Sequence, residues 1–191
     1  MIRELTLPLS ADDISSLRAG DPVTLSGPVY TARDAAHKRL IALLGEGKPL
    51  PLPIRGQTLY YVGPSPAPAG FPIGSAGPTT SYRMDSYTPA LLDLGLSGRI
   101  GKGARSREVI DAMIRNHAVY FGATGGAAAL LARCITDAQV IAFPDLGPEA
   151  VRLLTLSRFP AIVLIDSQGN NPYETGPARY RRTDDRSMRN A

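Results

Sequence analysis

Residues 56 to 82 carry no charged side chain, yet they hold five prolines and five glycines. Proline fixes φ and removes a backbone donor, so no helix, membrane-spanning or otherwise, can run through such a stretch. Only Thr58 to Val62, Thr-Leu-Tyr-Tyr-Val, reads as a short strand within it, closed by Gly63-Pro64. From there to Pro78 the sequence has no hydrophobic period, and a loop of that length in a compact chain usually carries function. It runs into Gly77-Pro78-Thr79-Thr80-Ser81-Tyr82-Arg83-Met84-Asp85. It is therefore expected to form a lid or wall beside whatever those residues bind.

Periodic segments lie on either side. Leu5 to Leu9 reads as a first strand and Ser10-Ala11-Asp12-Asp13 as a capped helical turn. Pro22 to Thr31 is rich in β-formers. From Asp34, Ala36, Leu40, Ile41, Leu43 and Leu44 fall at helical spacing, until Gly45, Gly47 and Pro49 stop the helix. Thr88 to Leu96 predicts a short helix, Arg99 to Gly103 a strand or turn, and Arg107 to Asn116 a helix capped by Ser106. His117 to Phe121, Ile135 to Phe143 and Ala161 to Asp166 read as strands, Ala127 to Arg133 and Pro148 to Ser157 as helices. Beyond Tyr173 the apolar content collapses, which predicts one domain over residues 1–173 and a basic C-terminal tail over 174–191. Strands and helices mix without strict repetition, so the fold class is α/β with a mixed sheet and flanking helices.

A chain of 191 residues can bury a sizeable single core. Its net charge of +4 is spread thinly, and the only dense basic group is Arg179, Arg181, Arg182, Arg186 and Arg189, diluted by Glu174, Asp184 and Asp185. With few aromatics and no Trp, this argues against a nucleic-acid surface and for a solvated tail or subunit contact. The one cysteine, Cys134, excludes an internal disulfide and any multi-thiolate metal site built by this chain alone, and it reads as buried and inert. Met1-Ile2-Arg3-Glu4 shows no signal-peptide pattern, and the expected compartment is the cytoplasm, with no membrane contact.

Only three lysines stand against 18 arginines, so Lys102, between Gly101 and Gly103, reads as a placed charge. Arg33 lies where a strand hands over to a helix, beside backbone N–H groups that suit an anion; a surface pair with Asp34 or Asp21 is the alternative. Thr79, Thr80, Arg83 and Lys102 put hydroxyls and cations on turns, which suits a small anion with carboxylates to hold. Other motifs fail. In a phosphate-binding loop ending at Gly101-Lys102, the first glycine would fall on Leu96, and Gly103 stands where a hydroxyl must bind Mg²⁺. Gly122 to Gly126 lacks dinucleotide spacing and reads as a tight strand-to-helix turn with room for close backbone approach. His37 and His117 have no metal-ligand spacing, and His37 reads as a packed or surface histidine. A nucleophile elbow is absent.

Read together, several segments resemble one family. They are Gly20-Asp21-Pro22-Val23, Ser26 through His37, Gly77-Pro78-Thr79-Thr80 with Arg83-Met84-Asp85, Ile100-Gly101-Lys102-Gly103, Tyr120 through Ala128, and Ile165-Asp166-Ser167-Gln168-Gly169-Asn170. The chain is similar to the β-subunit, or C-terminal domain, of iron–sulfur-dependent class I fumarases and L(+)-tartrate dehydratases. The resemblance covers roughly residues 18 to 174 in order. It implies a swivelling β/β/α domain and a partner α-subunit carrying a [4Fe–4S] cluster, with no metal bound by this chain. It also implies a hydro-lyase acting on a small 2-hydroxy dicarboxylate, fumarate and malate first, and inactive without the α-half. Alternatives are a tartrate dehydratase β-subunit and a stand-alone dicarboxylate-binding module. The resemblance implies that Arg33, Thr79, Arg83 and Lys102 face the substrate across the subunit junction. The expected roles are carboxylate clamps for Arg33 and Arg83, charge stabiliser for Lys102, and proton relay or donor for Thr79, with Thr80 behind it. A hetero-oligomer is expected, with a homodimer of this chain as a further level of assembly.

Overall fold

Five strands line up in parallel in the computed structural model, which describes residues 2–181. In chain order the elements are β1 (Arg3–Thr6), α1 (Ala11–Ser16), β2 (Pro22–Thr31), α2 (Asp34–Gly45), β3 (Thr58–Tyr60), α3 (Thr88–Asp93), β4 (Gly98–Gly101), α4 (Arg107–Arg115), β5 (Val119–Gly122), α5 (Ala128–Ala132), β6 (Ile135–Ala142), β7 (Val151–Ile165) and α6 (Pro172–Tyr180). Three 3₁₀ turns, Ser81–Met84, Gly125–Ala127 and Pro144–Glu149, complete the set. The strand order is β1-β2-β3-β4-β5-β7-β6, with β1 to β5 parallel and β7 antiparallel to its neighbours. The long strand β7 offers one edge to β2 and the other first to β6 and then to β5. Pairings therefore close into a ring, β2-β3-β4-β5-β7-β2.

Strand periodicity sends successive side chains of β3 to β5 to opposite faces, and both faces are covered. Tyr60, Ile100, Val119 and Phe121 join a core with Leu25 and Val29 of β2 and Leu154, Leu156, Phe159 and Val163 of β7. Leu59, Tyr61 and Tyr120 point the other way, into a second core with Leu40 of α2, Leu91 and Leu92 of α3, and Val109 and Met113 of α4. Burial on both sides explains why Thr58 to Val62 and Ala118 to Phe121 read as unbroken apolar runs rather than alternating ones.

One expectation fails. Pro148 to Ser157 is the end of a 3₁₀ turn followed by the first half of β7, not a helix. Val151 and Leu154 are spaced as on a helix face, but pairing on both edges, with β2 and β6, decides the conformation. Residues 174 to 180, the first part of the expected tail, are helical as part of α6, which has no buried residue and which Asn171 caps through Oδ1 accepting from the Tyr173 N–H at 3.1 Å. Arg182, Arg186 and Arg189 lie outside the described residues.

Candidate functional site at the carboxyl ends of the parallel strands

Because β2, β3, β4 and β5 are parallel neighbours, the chain leaves all four at one edge of the sheet. In α/β sheets that edge gathers strand-to-helix turns and helix N-termini, and ligands bind there. Arg33 follows β2, Lys102 follows β4 immediately, and Thr124-Gly125 follow β5. The proline-rich loop leaves β3 and is held against the first core by buried Ile73 and Ala76; the Tyr60 hydroxyl donates to the Ala76 carbonyl at 2.5 Å. Its returning end is thus packed, while residues 65–72 are exposed.

The loop returns the chain to the end of β3. The Thr79 N–H donates to the Tyr61 carbonyl at 2.6 Å, and Thr80 bridges Lys102 in parallel. The Ser81 N–H then donates to the Lys102 carbonyl at 2.9 Å, and the Lys102 N–H reaches Ser81 Oγ at 3.2 Å. Thr79-Thr80-Ser81 is therefore an extra rung between the extended ends of β3 and β4, which sets both threonines beside Lys102. Under the lysine lies Gly125: a β-carbon there would come within 2.8 Å of Lys102 Nζ. The glycine-rich turn expected to allow close approach does so here, to a side chain.

Arg83 follows in the 3₁₀ turn, and its Nε donates to Asp34 Oδ1 at 2.8 Å. Arg33 Nη2 lies 3.7 Å from Asp34 Oδ2 and 3.4 Å from Glu149 Oε1. Both guanidiniums therefore flank the N-terminus of α2. The side chain of Arg33 lies so close over Gly63 that a β-carbon there would collide with Nη1. Glu149 Oε2 accepts the Ala35 N–H at 2.8 Å, so an internal carboxylate occupies the helix start that the sequence offered to an anion. Arg83 is 44% exposed and Arg33 21%, so these pairs orient the guanidiniums more than they stabilise the fold.

All five residues singled out in the sequence lie along this edge, in two groups. Arg33 and Arg83 meet at Asp34; Thr79, Thr80 and Lys102 share the added rung; the turn Ser81–Met84 joins them. The sequence offers Asp34 as an alternative partner of Arg33, and the two do pair, but Asp34 as the holder of Arg83, Glu149 as a second partner of Arg33 and Ser81 as the clasp on Lys102 are not visible in it. Asp34 had a signal, its adjacency to Arg33; Glu149 had none, being distant in sequence.

A buried polar network underlies the site. Arg105 Nε donates to Asp85 Oδ1 at 2.7 Å and Nη2 to Thr88 Oγ1 at 2.9 Å, with the guanidinium 5.4 Å from the Tyr61 ring centroid and 5.2 Å from that of Tyr120. The Tyr120 hydroxyl bridges Ser81 Oγ at 2.8 Å and the Gly103 carbonyl at 3.0 Å. These bonds tie residues 81–88 to residues 102–106, the two segments that carry Arg83 and Lys102. His37 is packed: its Nδ1 lies 2.9 Å from the Arg33 carbonyl, and burial lowers its pKa to about 4. Cys134 is half-buried rather than buried, its thiol 3.9 Å from the Leu130 carbonyl and its pKa pushed up by burial. Among the described residues, no group of three or more His, Cys, Asp or Glu side chains is placed to hold a metal. With a single thiol, the residues present do not fit a thiolate-held iron–sulfur cluster.

Fold and site together define an α/β domain that presents cations and hydroxyls at the carboxyl edge of its parallel strands. A family model described as Fumarase C-terminus matches residues 2–176, and the chain belongs to that family. It is 42% identical over 154 residues to the anaerobic class I fumarate hydratase of Escherichia coli, covering 80% of this chain and 28% of that protein. Fumarate hydratase 2 of Leishmania major is 40% identical over 162 residues, 84% of this chain and 28% of its own length. The putative L(+)-tartrate dehydratase subunit beta of Methanocaldococcus jannaschii is 38% identical over 172 residues, 87% of this chain and 88% of that subunit. The chain thus spans little more than a quarter of these fumarate hydratases and most of the tartrate dehydratase subunit.

Proposed function

We propose that this chain is the β-subunit of an iron–sulfur hydro-lyase that reversibly removes water from a small 2-hydroxy dicarboxylate, malate to fumarate first. The observation that carries this reading is the gathering of Arg33, Thr79, Arg83 and Lys102 along one strand edge in a chain matched over 88% of a β-subunit's length. Removing water across the C2–C3 bond takes a proton from C3, next to one carboxylate, and breaks the C2–O bond, the hydroxyl leaving with the bonding pair and picking up a proton to become water. Negative charge grows on the carboxylate beside C3 as the C3 proton departs. Fixed cations bind that state more strongly than the ground state. Arg33 and Arg83 grip the two carboxylates, and Lys102 faces the growing charge. Thr79 passes or donates a proton, since a free hydroxyl is too weak a base to act unaided. The [4Fe–4S] cluster belongs to an α-half of a hetero-oligomer, and the chain is inactive without it. Two cores on opposite faces of the parallel strands support a swivelling β/β/α architecture over residues 1–173. The cytoplasm remains the proposed compartment; no helix among the described residues is long and apolar enough to cross a membrane.

A tartrate dehydratase is the second reading, favoured by the length match to the tartrate dehydratase subunit. Anaerobic co-expression with a cluster-bearing α-half, followed by turnover of fumarate, malate and L(+)-tartrate, tests both. Malate and fumarate interconversion by the pair, absent from either half alone, is the expected result. Tartrate turnover alone selects the second reading. A pair that turns over none of the three, while the isolated chain binds dicarboxylates tightly, replaces both with a binding module.

A further inference from the structure

Arg99 is placed where an arginine is costly. It stands on β4, in register with Leu59 of β3 and Tyr120 of β5, and projects into the helix-side core with no exposed surface. Its Nε, Nη1 and Nη2 have no hydrogen-bond partner among the described residues, and the same holds for Nη1 of buried Arg105. Arg105 spends its other nitrogens on Asp85 and Thr88. Asp85 is already taken by Arg105 and by the Ser106 N–H at 2.6 Å. Among the described residues these two guanidiniums thus have one facing carboxylate, bonded to Arg105 and not to Arg99, which leaves the Arg99 charge unbalanced. Burial pulls the Arg99 pKa down to about 10, which leaves the group charged at neutral pH. A buried unpaired charge costs several kcal/mol, and a guanidinium presents five N–H donors that all require acceptors.

We propose that the helix-side interior holds a small monovalent anion, chloride or one of its size, bound by Arg99 with Arg105 Nη1 as a second donor. The charge balance calls for one negative charge, and donors without acceptors call for a lone-pair sphere rather than a further N–H group. Leu59, Tyr61, Leu91 and Tyr120 are all fully buried on this face of the sheet, so an anion beside Arg99 would be enclosed, and a single atom is the smallest species that answers the charge. This site is distinct from the strand-edge site, and the inference does not rest on the proposed hydro-lyase activity. Its role is structural, holding the positive interior together beneath the segments that carry Arg83 and Lys102.

The test refolds the 191-residue chain from urea in sodium gluconate, chloride or bromide at equal ionic strength, because an enclosed site exchanges slowly. Halide is expected to raise Tm by about 5 °C or more over gluconate, the scale for a ligand well above its dissociation constant in a chain of this length. In Arg99→Met the three salts should give one Tm, no lower than that of the parent in gluconate, since an apolar side chain replaces an uncompensated charge. Crystals of the parent chain grown from bromide should show an anomalous peak beside the Arg99 guanidinium. A parent Tm indifferent to the anion, a halide effect that persists in Arg99→Met, or water density without bromide at Arg99 each overturns the proposal. Should Arg99→Met not fold, the parent Tm series and the bromide map decide alone.

Discussion

Lys102 Nζ lies 2.8 Å from the point where Gly125 would carry a β-carbon, so the ammonium rests on bare backbone of the turn after β5. The atom in the way is the far end of a flexible side chain, which can move aside with little cost to the fold. Gly125→Ala should therefore shift Tm by no more than about 3 °C, under the scale of 1 kcal/mol in a chain of this size. A displaced ammonium, however, should lower kcat/KM of the assembled enzyme roughly ten- to a hundredfold. Unchanged kinetics in Gly125→Ala would show that Lys102 acts from a different position.

Removing the cations outright should cost more. Arg83→Ala and Lys102→Met are each expected to reduce kcat/KM by about a hundredfold or more, the scale of losing a fixed donor to a developing oxyanion. Steady-state kinetics on the assembled enzyme check this, and near-parental turnover in both would take them out of the site. Thr79→Val tests the relay: a rate and pH–rate profile like the parent's would rule that role out.

Asp34 should matter through the arginines it holds. Its Oδ1 accepts from Arg83 Nε, and its Oδ2 lies near Arg33 Nη2. Asp34→Asn weakens the anchor without removing either guanidinium, so KM should rise about tenfold, less than the overall loss in Arg83→Ala. Such half-exposed ion pairs contribute roughly 0–1 kcal/mol, so the urea midpoint should barely change. A large stability loss with unchanged KM would reassign Asp34 to folding.

Arg105 should behave in the opposite way. Its side chain is fully buried against Asp85 and between two tyrosine rings. Arg105→Ala leaves Asp85 without its partner in the interior, which should cost about 3–5 kcal/mol in urea unfolding. Arg105→Lys keeps the charge but loses the flat stacking surface and the second donor, and should recover only part of that. A loss under 1 kcal/mol in Arg105→Ala would show that the network is dispensable.

His37 predicts a pH dependence of stability. Burial depresses its folded pKa from 6.5 to about 4, so between those values the unfolded chain binds a proton that the native chain refuses. Stability is thus full above about pH 6.5 and falls as pH drops toward 4, by about 3 kcal/mol in total. In His37→Asn, whose amide can still reach the Arg33 carbonyl, the slope of unfolding free energy between pH 4 and 6.5 should lose close to one proton. An unaltered slope would mean that other groups set the acid limit.

The sequence made the rim legible and the interior much less so. Thr79, Thr80, Arg83 and Lys102 stand out because turns rich in glycine and proline isolate polar side chains, and Arg33 because a strand hands over to a helix there; such junctions are what parallel strands place at their carboxyl edge. Glu149 does not, since its link to Ala35 and Arg33 joins segments 114 residues apart in the chain and leaves no local trace. Arg99 stands in a segment whose sequence indicates only a strand or turn; nothing near Arg99-Ile100-Gly101 signals that one face of that strand is sealed by helices. The same limit explains β7. A segment such as Val151 to Ser157 has no helical or extended preference strong enough to prevail, and long-range pairing with β2 and β6 chose for it.

That long strand also sets the order of assembly. Pairing of β2 through β5 can begin as soon as each has emerged from the ribosome, but the cylinder they outline stays split until residues 151–165 arrive and zip it shut. Contacts between positions more than a hundred apart, such as Val29 with Leu154, must therefore wait until β7 has been made, and closure of this kind is slow. A nascent chain stopped short of Val151 would expose two raw sheet edges at once, an invitation to pair with whatever strand is nearest.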